Sequence, residues 1–165
     1  MKKIIFLNII FILLIFNGCA QRLNSQNMIP SNHSETKIIR FNTNLYNSIS
    51  LITENLDYEI GKAIMETLKD YKLYSKQEAS KFVLTAKFIS QDIPKFGANM
   101  KVKISIKYTL QKKDTNKILI NEILTSSYTE KWYGAYLGST RVKNAYEGSI
   151  KNNIKKLINK LKELK

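Results

Sequence analysis

Histidine and cysteine are almost missing from this chain, which has one of each among its 165 residues, His33 and Cys19. A Ser-His-Asp or Cys-His catalytic site needs a base within hydrogen-bond reach of its nucleophile, and a zinc site needs histidine or thiolate ligands. Both residues lie near the N-terminus, ahead of the part that is expected to fold. These catalytic classes and a zinc site are therefore excluded from the folded part, and His33 is interpreted as a solvated linker residue.

Glycine and arginine are scarce as well. Gly134 and Gly138 do not stand between a strand and a helix in the way that a phosphate-binding loop requires. Only Arg22, Arg40 and Arg141 are arginines, and arginine is the better bidentate partner for phosphate. Nucleic-acid binding is therefore not expected, although 27 basic residues against 13 acidic ones give the chain a net charge of +14.

The first residues have the pattern of a secretory signal. Lys2 and Lys3 precede an apolar run, residues 4–16, that is interrupted only by Asn8. A short basic segment followed by about a dozen apolar residues is typical of a signal peptide. A helix needs ~20 residues to span the ~30 Å hydrocarbon core, so the run is too short for a permanent anchor. Residues 1–18 are predicted to be a lipoprotein signal peptide.

Cys19 follows Phe16, Asn17 and Gly18 in a tetrad that is similar to a lipobox, in which a small residue precedes the acylated cysteine. Phe16 and Asn17 depart from the usual leucine and small residue. A lone thiol is unusual in an oxidising periplasm, and acylation by palmitate or a related chain removes it. Cys19 is predicted to be the lipidated first residue of the mature protein. Ala20, in place of an aspartate, predicts sorting to the outer membrane, with the domain facing the periplasm.

Without Lys2 and Lys3, the 27 basic residues become 25 against 13 acidic ones, so the mature chain has a net charge of +12. This excess is compatible with an anionic membrane surface or an anionic partner, and genome composition is an alternative origin for it. Residues 19–36 are polar and lack periodicity, which predicts a lipidated flexible tether. Residues 37–165 suit a single domain with one modest core.

Hydrophobic periodicity predicts the elements of this domain. The predicted strands span residues 37–41, 48–53, 81–89, 100–111 and 117–131, and the predicted helices span residues 56–71 and 140–164. In residues 100–111 apolar and polar side chains alternate strictly, as they do when one face of an antiparallel sheet is covered. In the last strand the alternation begins on Ile118 and Ile120 and shifts to Ile123 and Thr125. This shift predicts a β-bulge near Asn121–Glu122.

The order of elements is strands, helix, three strands and helix, which is typical of an α+β domain. We expect two layers, with an antiparallel sheet of three to five strands and two helices packed on one of its faces. The sequence has no internal repeat.

Several stretches carry a family resemblance. They are residues 68–73, 82–86, 91–97 (QDIPKFG), 100–110, 127–129, 135–138 (AYLG), 147–149 and 152–154. On these stretches the chain resembles a family of small proteobacterial outer-membrane lipoproteins whose function is not established. It departs from the family at Lys95 and Lys131, where an acidic or small polar residue is usual.

The resemblance also bears on activity, because some members of this family are labelled UDP-N-acetylglucosamine acyltransferase. The acyltransferases of that name are hexapeptide-repeat β-helices that work with a histidine base, and the folded part of this chain has neither feature. More loosely, the order of elements is similar to that of the lipopolysaccharide-assembly lipoprotein and of transporter auxiliary lipoproteins.

The distribution of carboxylates does not indicate an enzyme. Glu122 and Glu130 share strand parity, but eight residues along a strand separate them by ~26 Å, too far for an acid–base pair. We expect no enzymatic activity, no cofactor and no metal. We interpret the protein as a non-enzymatic accessory lipoprotein that binds an envelope protein or a glycolipid, besides the membrane that its lipid enters. Two alternatives stay open: an acyltransferase acting on lipid A or a UDP-sugar, and an anionic-surface binder that uses the lysine-rich C-terminal helix.

Trp132, Tyr133 and Tyr136 crowd the segment between the last predicted strand and the last predicted helix. Large amphipathic rings on a loop suit partner contact, because they bury much area at modest entropic cost. These three residues are the candidate partner-binding site. For Trp132 the favoured interpretation is that it closes the end of the sheet. For the two tyrosines, capping of the terminal helix is the alternative to partner contact.

Overall fold

The computed structural model describes residues 21–31, 41–95 and 97–164. The predicted signal peptide, the predicted lipidation site Cys19 and residues 37–40 of the first predicted strand lie outside the described residues. The sheet consists of strands β1 (Ile49–Glu54), β2 (Phe82–Asp92), β3 (Met100–Lys112) and β4 (Ile118–Glu130). The described α-helices are α1 (Ser25–Met28), α2 (Tyr58–Asp70) and α3 (Gly138–Glu163).

The four strands lie side by side in the order β1-β2-β3-β4. β2, β3 and β4 are antiparallel neighbours, whereas β1 pairs with β2 in parallel, with Ile49 opposite Phe82. The chain leaves β1, runs through α2 and returns to begin β2 at the same end, as a parallel neighbour requires. The predicted α+β class is confirmed, and the expectation of a wholly antiparallel sheet is corrected at this one pair.

One face of β3 lies against the core, and the other faces the solvent. Val102, Ile104, Ile106, Tyr108 and Leu110 are fully buried, whereas the lysines between them are exposed or half-buried. The alternation predicted for this strand is therefore confirmed, except that Ser105 on the other face is also buried, at 9% exposure. Burial raises the pKa of the Tyr108 hydroxyl, whose oxygen has no hydrogen-bond partner among the described residues.

The β-bulge in β4 lies earlier than the sequence predicts. Ile118 and Ile120 pair with two consecutive residues of β3, so that Leu119 is the extra residue. A bulge near Asn121–Glu122 is therefore wrong. The bulge lies at the first paired residues after the β3–β4 hairpin, and the rest of β4 pairs with β3 without interruption.

The inward face of β4 differs from the prediction for the same reason. Leu124 and Ser126 are buried under the helices, whereas Ile123 is 55% exposed. The predicted inward shift to Ile123 and Thr125 is wrong, because the pairing with β3 preserves the parity set at Ile120. Ile123 therefore lies on the open face of the sheet.

α3 approaches the sheet closely because its facing positions carry small side chains. A β-carbon at Gly148 would lie 2.5 Å from the ring of Tyr128 in β4. The next residue, Ser149, donates from Oγ to the carbonyl of Val102 at 2.7 Å and accepts at its own carbonyl from Ser126 Oγ at 2.8 Å. These bonds satisfy both buried hydroxyls and fix the helix against β3 and β4.

Among the strands that the structure describes, β4 is at the edge of the sheet and has β3 as its one neighbour. Lys156 Nζ donates to the carbonyl of Thr125 at 2.6 Å, and Asn152 Nδ2 donates to the carbonyl of Ser127 at 3.0 Å. Unpaired backbone groups on an edge strand are a template for pairing with another chain. Side chains of α3 thus supply partners to two carbonyls of this edge strand.

Part of the predicted tether, residues 19–36, lies against the domain. Residues 21–31 include the single helical turn α1, which contacts both α2 and α3. Met28, at the end of this turn, is fully buried in the common core. This segment differs from a flexible tether because it contributes an apolar side chain to the core and polar groups to a buried carboxylate.

That carboxylate belongs to Glu147, which is 3% exposed on α3. It accepts a hydrogen bond of 2.7 Å from the backbone N–H of Asn24 and one of 2.8 Å from the side-chain amide of Asn27. Lys143 Nζ lies 3.9 Å away, one turn earlier on the helix. A buried charge is tolerated where it is paired and hydrogen-bonded, and the N-terminal segment provides most of that compensation.

Candidate functional site: an aromatic end of the domain

The three candidate aromatic residues lie together on the loop between β4 and α3, and all are exposed. The exposed fractions are 64% for Trp132, 72% for Tyr133 and 98% for Tyr136. The rings of Trp132 and Tyr133 meet edge to face, with centroids 5.7 Å apart. At this exposure Trp132 does not close the end of the sheet, which corrects the interpretation favoured from the sequence.

The backbone of this loop is held firmly. Arg141, in the first turn of α3, donates from Nη1 to the carbonyls of Ala135 at 2.9 Å and Tyr136 at 3.2 Å. Asn99 accepts a hydrogen bond of 3.0 Å at Oδ1 from the backbone N–H of Trp132. A loop that is ordered before binding loses less conformational entropy when it binds. The loop therefore presents exposed rings on a preformed backbone.

Sequence reasoning missed Arg141 and Asn99. Neither residue belongs to a recognisable motif, and their partners are backbone groups of the loop. The one signal in the sequence is that Arg141 is the sole arginine after Arg40. Its fork of N–H groups can reach more than one carbonyl, which a lysine cannot do with the same geometry.

An apolar groove of about 850 Å³ lies beside the loop. Four parts of the chain line it: the N-terminal segment, the connection between β2 and β3, the end of the aromatic loop and the start of α3. Its apolar lining consists of Leu23, Ile93, Pro94, Leu137, Val142 and Tyr146. We call Trp132, Tyr133 and Tyr136, together with this groove, the aromatic end.

The N-terminal segment is part of the aromatic end. Gln21 lines the groove, and its Nε2 donates a hydrogen bond of 2.8 Å to Thr140 Oγ1 at the start of α3. Leu23 lines the groove beside it. The first described residues after Cys19 therefore lie next to the exposed aromatic loop.

A second carboxylate, that of Glu59 on α2, also holds this segment. Glu59 accepts from the backbone N–H of Ser25 at 3.3 Å and pairs with Arg22 at 3.4 Å. Hydrogen bonding by Ser25 lowers the pKa of Glu59, and the charges of Lys62 and Arg22 lower it further, against an opposing effect of desolvation. Carboxylates from both long helices thus bind the N-terminal segment.

The titratable groups of the aromatic end are suited to binding. Burial raises the pKa of Tyr146 in the groove, and the negative charge of Asp57 raises it further, so its hydroxyl stays protonated. Within residues 21–31, 41–95 and 97–164, no group of three or more His, Cys, Asp or Glu side chains is placed to hold a metal ion. The exposed rings and the apolar lining of the groove can bury apolar area against a partner.

The two carboxylates considered from the sequence have separate partners. Glu122 forms an ion pair of 3.2 Å with Lys160, and Glu130 accepts from Asn144 Nδ2 at 3.3 Å. The hydrogen bond and the charge of Glu122 raise the pKa of Lys160, with a smaller effect of Glu163. Part of the positive charge on α3 is therefore engaged within the molecule.

No helix in the described ranges is long and apolar enough to cross a membrane.

Comparisons with known proteins find similarity in structure alone. No protein-family model matches the sequence. No curated protein matches it either. Among solved structures, a minor lipoprotein from Acinetobacter baumannii matches with a TM-score of 0.53 and 9% identity, covering 71% of this chain and 93% of that one.

Two further solved structures have related descriptions. A protein from Caulobacter crescentus, described as a candidate lipoprotein, matches with a TM-score of 0.51 and 11% identity, covering 70% of this chain and 88% of that one. Rare lipoprotein B from Shewanella oneidensis matches with a TM-score of 0.40 and 10% identity, covering 70% and 90%, which is too distant to support an argument. At the level of fold, the predicted resemblance to bacterial lipoproteins is confirmed: this chain has the fold of the Acinetobacter and Caulobacter proteins.

Proposed function

We propose that this protein is a non-enzymatic accessory lipoprotein of the outer membrane. It is anchored by a lipid on Cys19, faces the periplasm and binds an envelope partner, a protein or a glycolipid, through the aromatic end. The observation that carries the proposal is the exposure of Trp132, Tyr133 and Tyr136 on a loop whose backbone is already fixed.

The physical argument concerns what exposed aromatic rings do for a protein. Burying a large ring gains free energy in proportion to the apolar area removed from water, and Trp and Tyr are enriched where binding energy concentrates. Arg141 orders the backbone of the loop before binding. The adjacent groove, with Leu137 and Ile93 partly exposed at its wall, extends the apolar surface that a partner can cover.

The binding role is tested by replacing Tyr133 and Tyr136 with alanine together. Since both side chains are exposed, the melting temperature should stay nearly unchanged, while capture of partners from cross-linked cells should fall. Ile118→Ala with Ile123→Ala is the matched control, because it removes two side chains that are 53% and 55% exposed on β4. Early unfolding of the tyrosine variant, with normal capture per folded molecule, would contradict the proposal.

The anchor is tested separately. Cys19→Ala should abolish lipidation and release the protein from membrane fractions, and mass spectrometry of the wild-type protein should show the attached acyl chains. Recovery of wild-type protein solely in inner-membrane fractions would overturn the sorting that Ala20 predicts.

A further inference from the structure

We infer that the aromatic end rests on the lipid bilayer itself, with Trp132, Tyr133 and Tyr136 at the interface between headgroups and acyl chains of the membrane that anchors Cys19. This inference rests on the proposed function, since it takes the lipid anchor and the aromatic end from it. It replaces the protein or glycolipid partner of that surface with the phospholipid of the bilayer.

The first step is the position of the anchor relative to the rings. Gln21 is bonded to Thr140, three residues beyond Leu137 at the end of the aromatic loop. Consecutive Cα atoms are ~3.8 Å apart, so the Cα atom of Cys19 is within ~8 Å of that of Gln21, whatever path residues 19 and 20 take. An acyl chain on Cys19 therefore enters the bilayer beside the aromatic end.

The second step is the rigidity of this arrangement. Met28 is buried in the core, and Glu147 and Glu59 bind the backbone and side chains of the segment that follows Gln21. The domain is consequently not suspended on the whole stretch of residues 19–36. An anchor joined to Gln21 through residues 19 and 20 alone holds the aromatic end of the domain at the membrane surface.

The third step is the chemistry that this end presents. Tryptophan and tyrosine are enriched at membrane–water interfaces, because an apolar ring carries a polar N–H or O–H group. Leu137, 56% exposed beside them, adds an aliphatic side chain. Lys131 and Lys95, both exposed and adjacent in sequence to Trp132 and Pro94, provide cations for anionic headgroups, which attract basic residues near the surface.

The position of the anchor leaves little room for a soluble protein partner at the aromatic loop. With Cys19 fixed in the bilayer within ~8 Å of Gln21, a partner on the aromatic loop would need space between the loop and the membrane. The exposed cations of Lys95 and Lys131 also favour an anionic lipid surface over an uncharged one. Charge and anchor position thus point to the same occupant.

Trp132 makes the test direct, because it is the one tryptophan of the chain. The native lipidated protein is reconstituted into vesicles of phosphatidylethanolamine and phosphatidylglycerol. Its emission should lie at shorter wavelength than that of the unlipidated Cys19→Ala protein in detergent-free buffer. The emission should also be quenched by lipids brominated on the acyl chains, and its quenching by aqueous acrylamide should fall several-fold. Emission at the wavelength of solvated tryptophan with full acrylamide quenching would overturn the inference.

The matched control moves the probe to the opposite end of the sheet. In a Trp132→Phe background, Ile118→Trp places tryptophan at a position that is 53% exposed, at the β3–β4 hairpin end, while the lipid anchor stays intact. This variant should remain open to acrylamide and be insensitive to brominated lipids. Equal lipid quenching of both probes would mean that the domain does not orient, which overturns the inference.

The outcomes separate this inference from the proposed function. If Trp132 stays open to acrylamide while Tyr133→Ala with Tyr136→Ala still reduces capture of a cross-linked protein, the binding role stands and the bilayer is the wrong partner. If the mass of the native protein shows no acyl chain, the proposed anchor fails, and the inference fails with it.

Discussion

Asn27 and Glu147 stand 120 residues apart in the sequence, yet the side-chain amide of one donates to the carboxylate of the other at 2.8 Å. The same carboxylate accepts from the backbone of Asn24. A buried carboxylate left without donors keeps its desolvation cost without compensation. The N-terminal segment and the core of α3 therefore stabilise each other.

Glu147→Gln should loosen this segment while the domain stays folded. The amide keeps the shape of the carboxylate, but it has one oxygen to accept from Asn24 and Asn27, and its NH2 group would face the other donor. Hydrogen bonds to charged groups contribute about 1.5–3 kcal/mol, so hydrogen exchange of the backbone amides of residues 24–29 should accelerate accordingly. Glu163→Gln, at an exposed carboxylate, is the control and should leave exchange there unchanged. Unaltered protection in Glu147→Gln would show that Met28 alone holds the segment.

Docking of the N-terminal segment should weaken in acid because of Glu59. Its pKa is lower in the folded protein than its ordinary value of about 4.5. The unfolded state therefore binds the proton more tightly, and the stabilisation is fully present above that ordinary value and disappears as the pH falls through the folded pKa. Urea unfolding should give a stability gap between wild type and Glu59→Gln at neutral pH that closes in acid. A gap that is constant with pH would contradict this origin.

Gly148→Ala should destabilise the protein, although alanine is the better helix former. The new methyl group would lie 2.5 Å from the Tyr128 ring, and forced overpacking costs about 1–3 kcal/mol. Gly61→Ala in α2 is the matched control, because its β-carbon would lie 3.1 Å from the methyl group of Thr53, which can shift slightly. Urea midpoints should fall for the first variant and change little for the second. Equal midpoints would show that α3 can move away from the sheet without loss.

Ile106→Ala should lower the free energy of unfolding by about 2–5 kcal/mol, because it leaves a cavity at a fully buried position of β3. Lys103→Ala, on the open face of the same strand, should stay within about 0.5 kcal/mol. Chemical denaturation of both variants measures the contrast. Similar losses for the two would mean that the second face of the sheet is also covered.

The sequence predicts those parts of the fold in which each strand or helix carries its own signal. β3 alternates between Met100 and Lys112 and α2 has an apolar stripe, so both could be located from local pattern. β1 has six residues and no marker of direction, and its parallel pairing is decided by the crossover through α2. The sequence pattern predicts the bulge too late in β4, because the exposed apolar residue Ile123 fits the pattern of an inward-facing position.

The candidate site could be predicted in part for a similar reason. Trp132, Tyr133 and Tyr136 are visible in the sequence as a cluster in a connecting segment, and the structure brings all three to one loop. The contacts that fix this loop and the N-terminal segment join residues far apart in the chain, such as Asn99 with Trp132. Such pairings have no periodicity, and a single sequence contains no other record of them.

The hydrogen bonds that α3 makes to the outer strand also matter for molecules held at high density. Another copy that approached β4 edge-on would have to displace Lys156 and Asn152 from the carbonyls of Thr125 and Ser127 before its backbone could pair there. Under the proposed lipid anchor, copies on a membrane surface would meet repeatedly in similar orientations, which favours pairing of open sheet edges. The amide of Asn152 and the ammonium group of Lys156 on the terminal helix therefore oppose edge-to-edge pairing of two copies through β4.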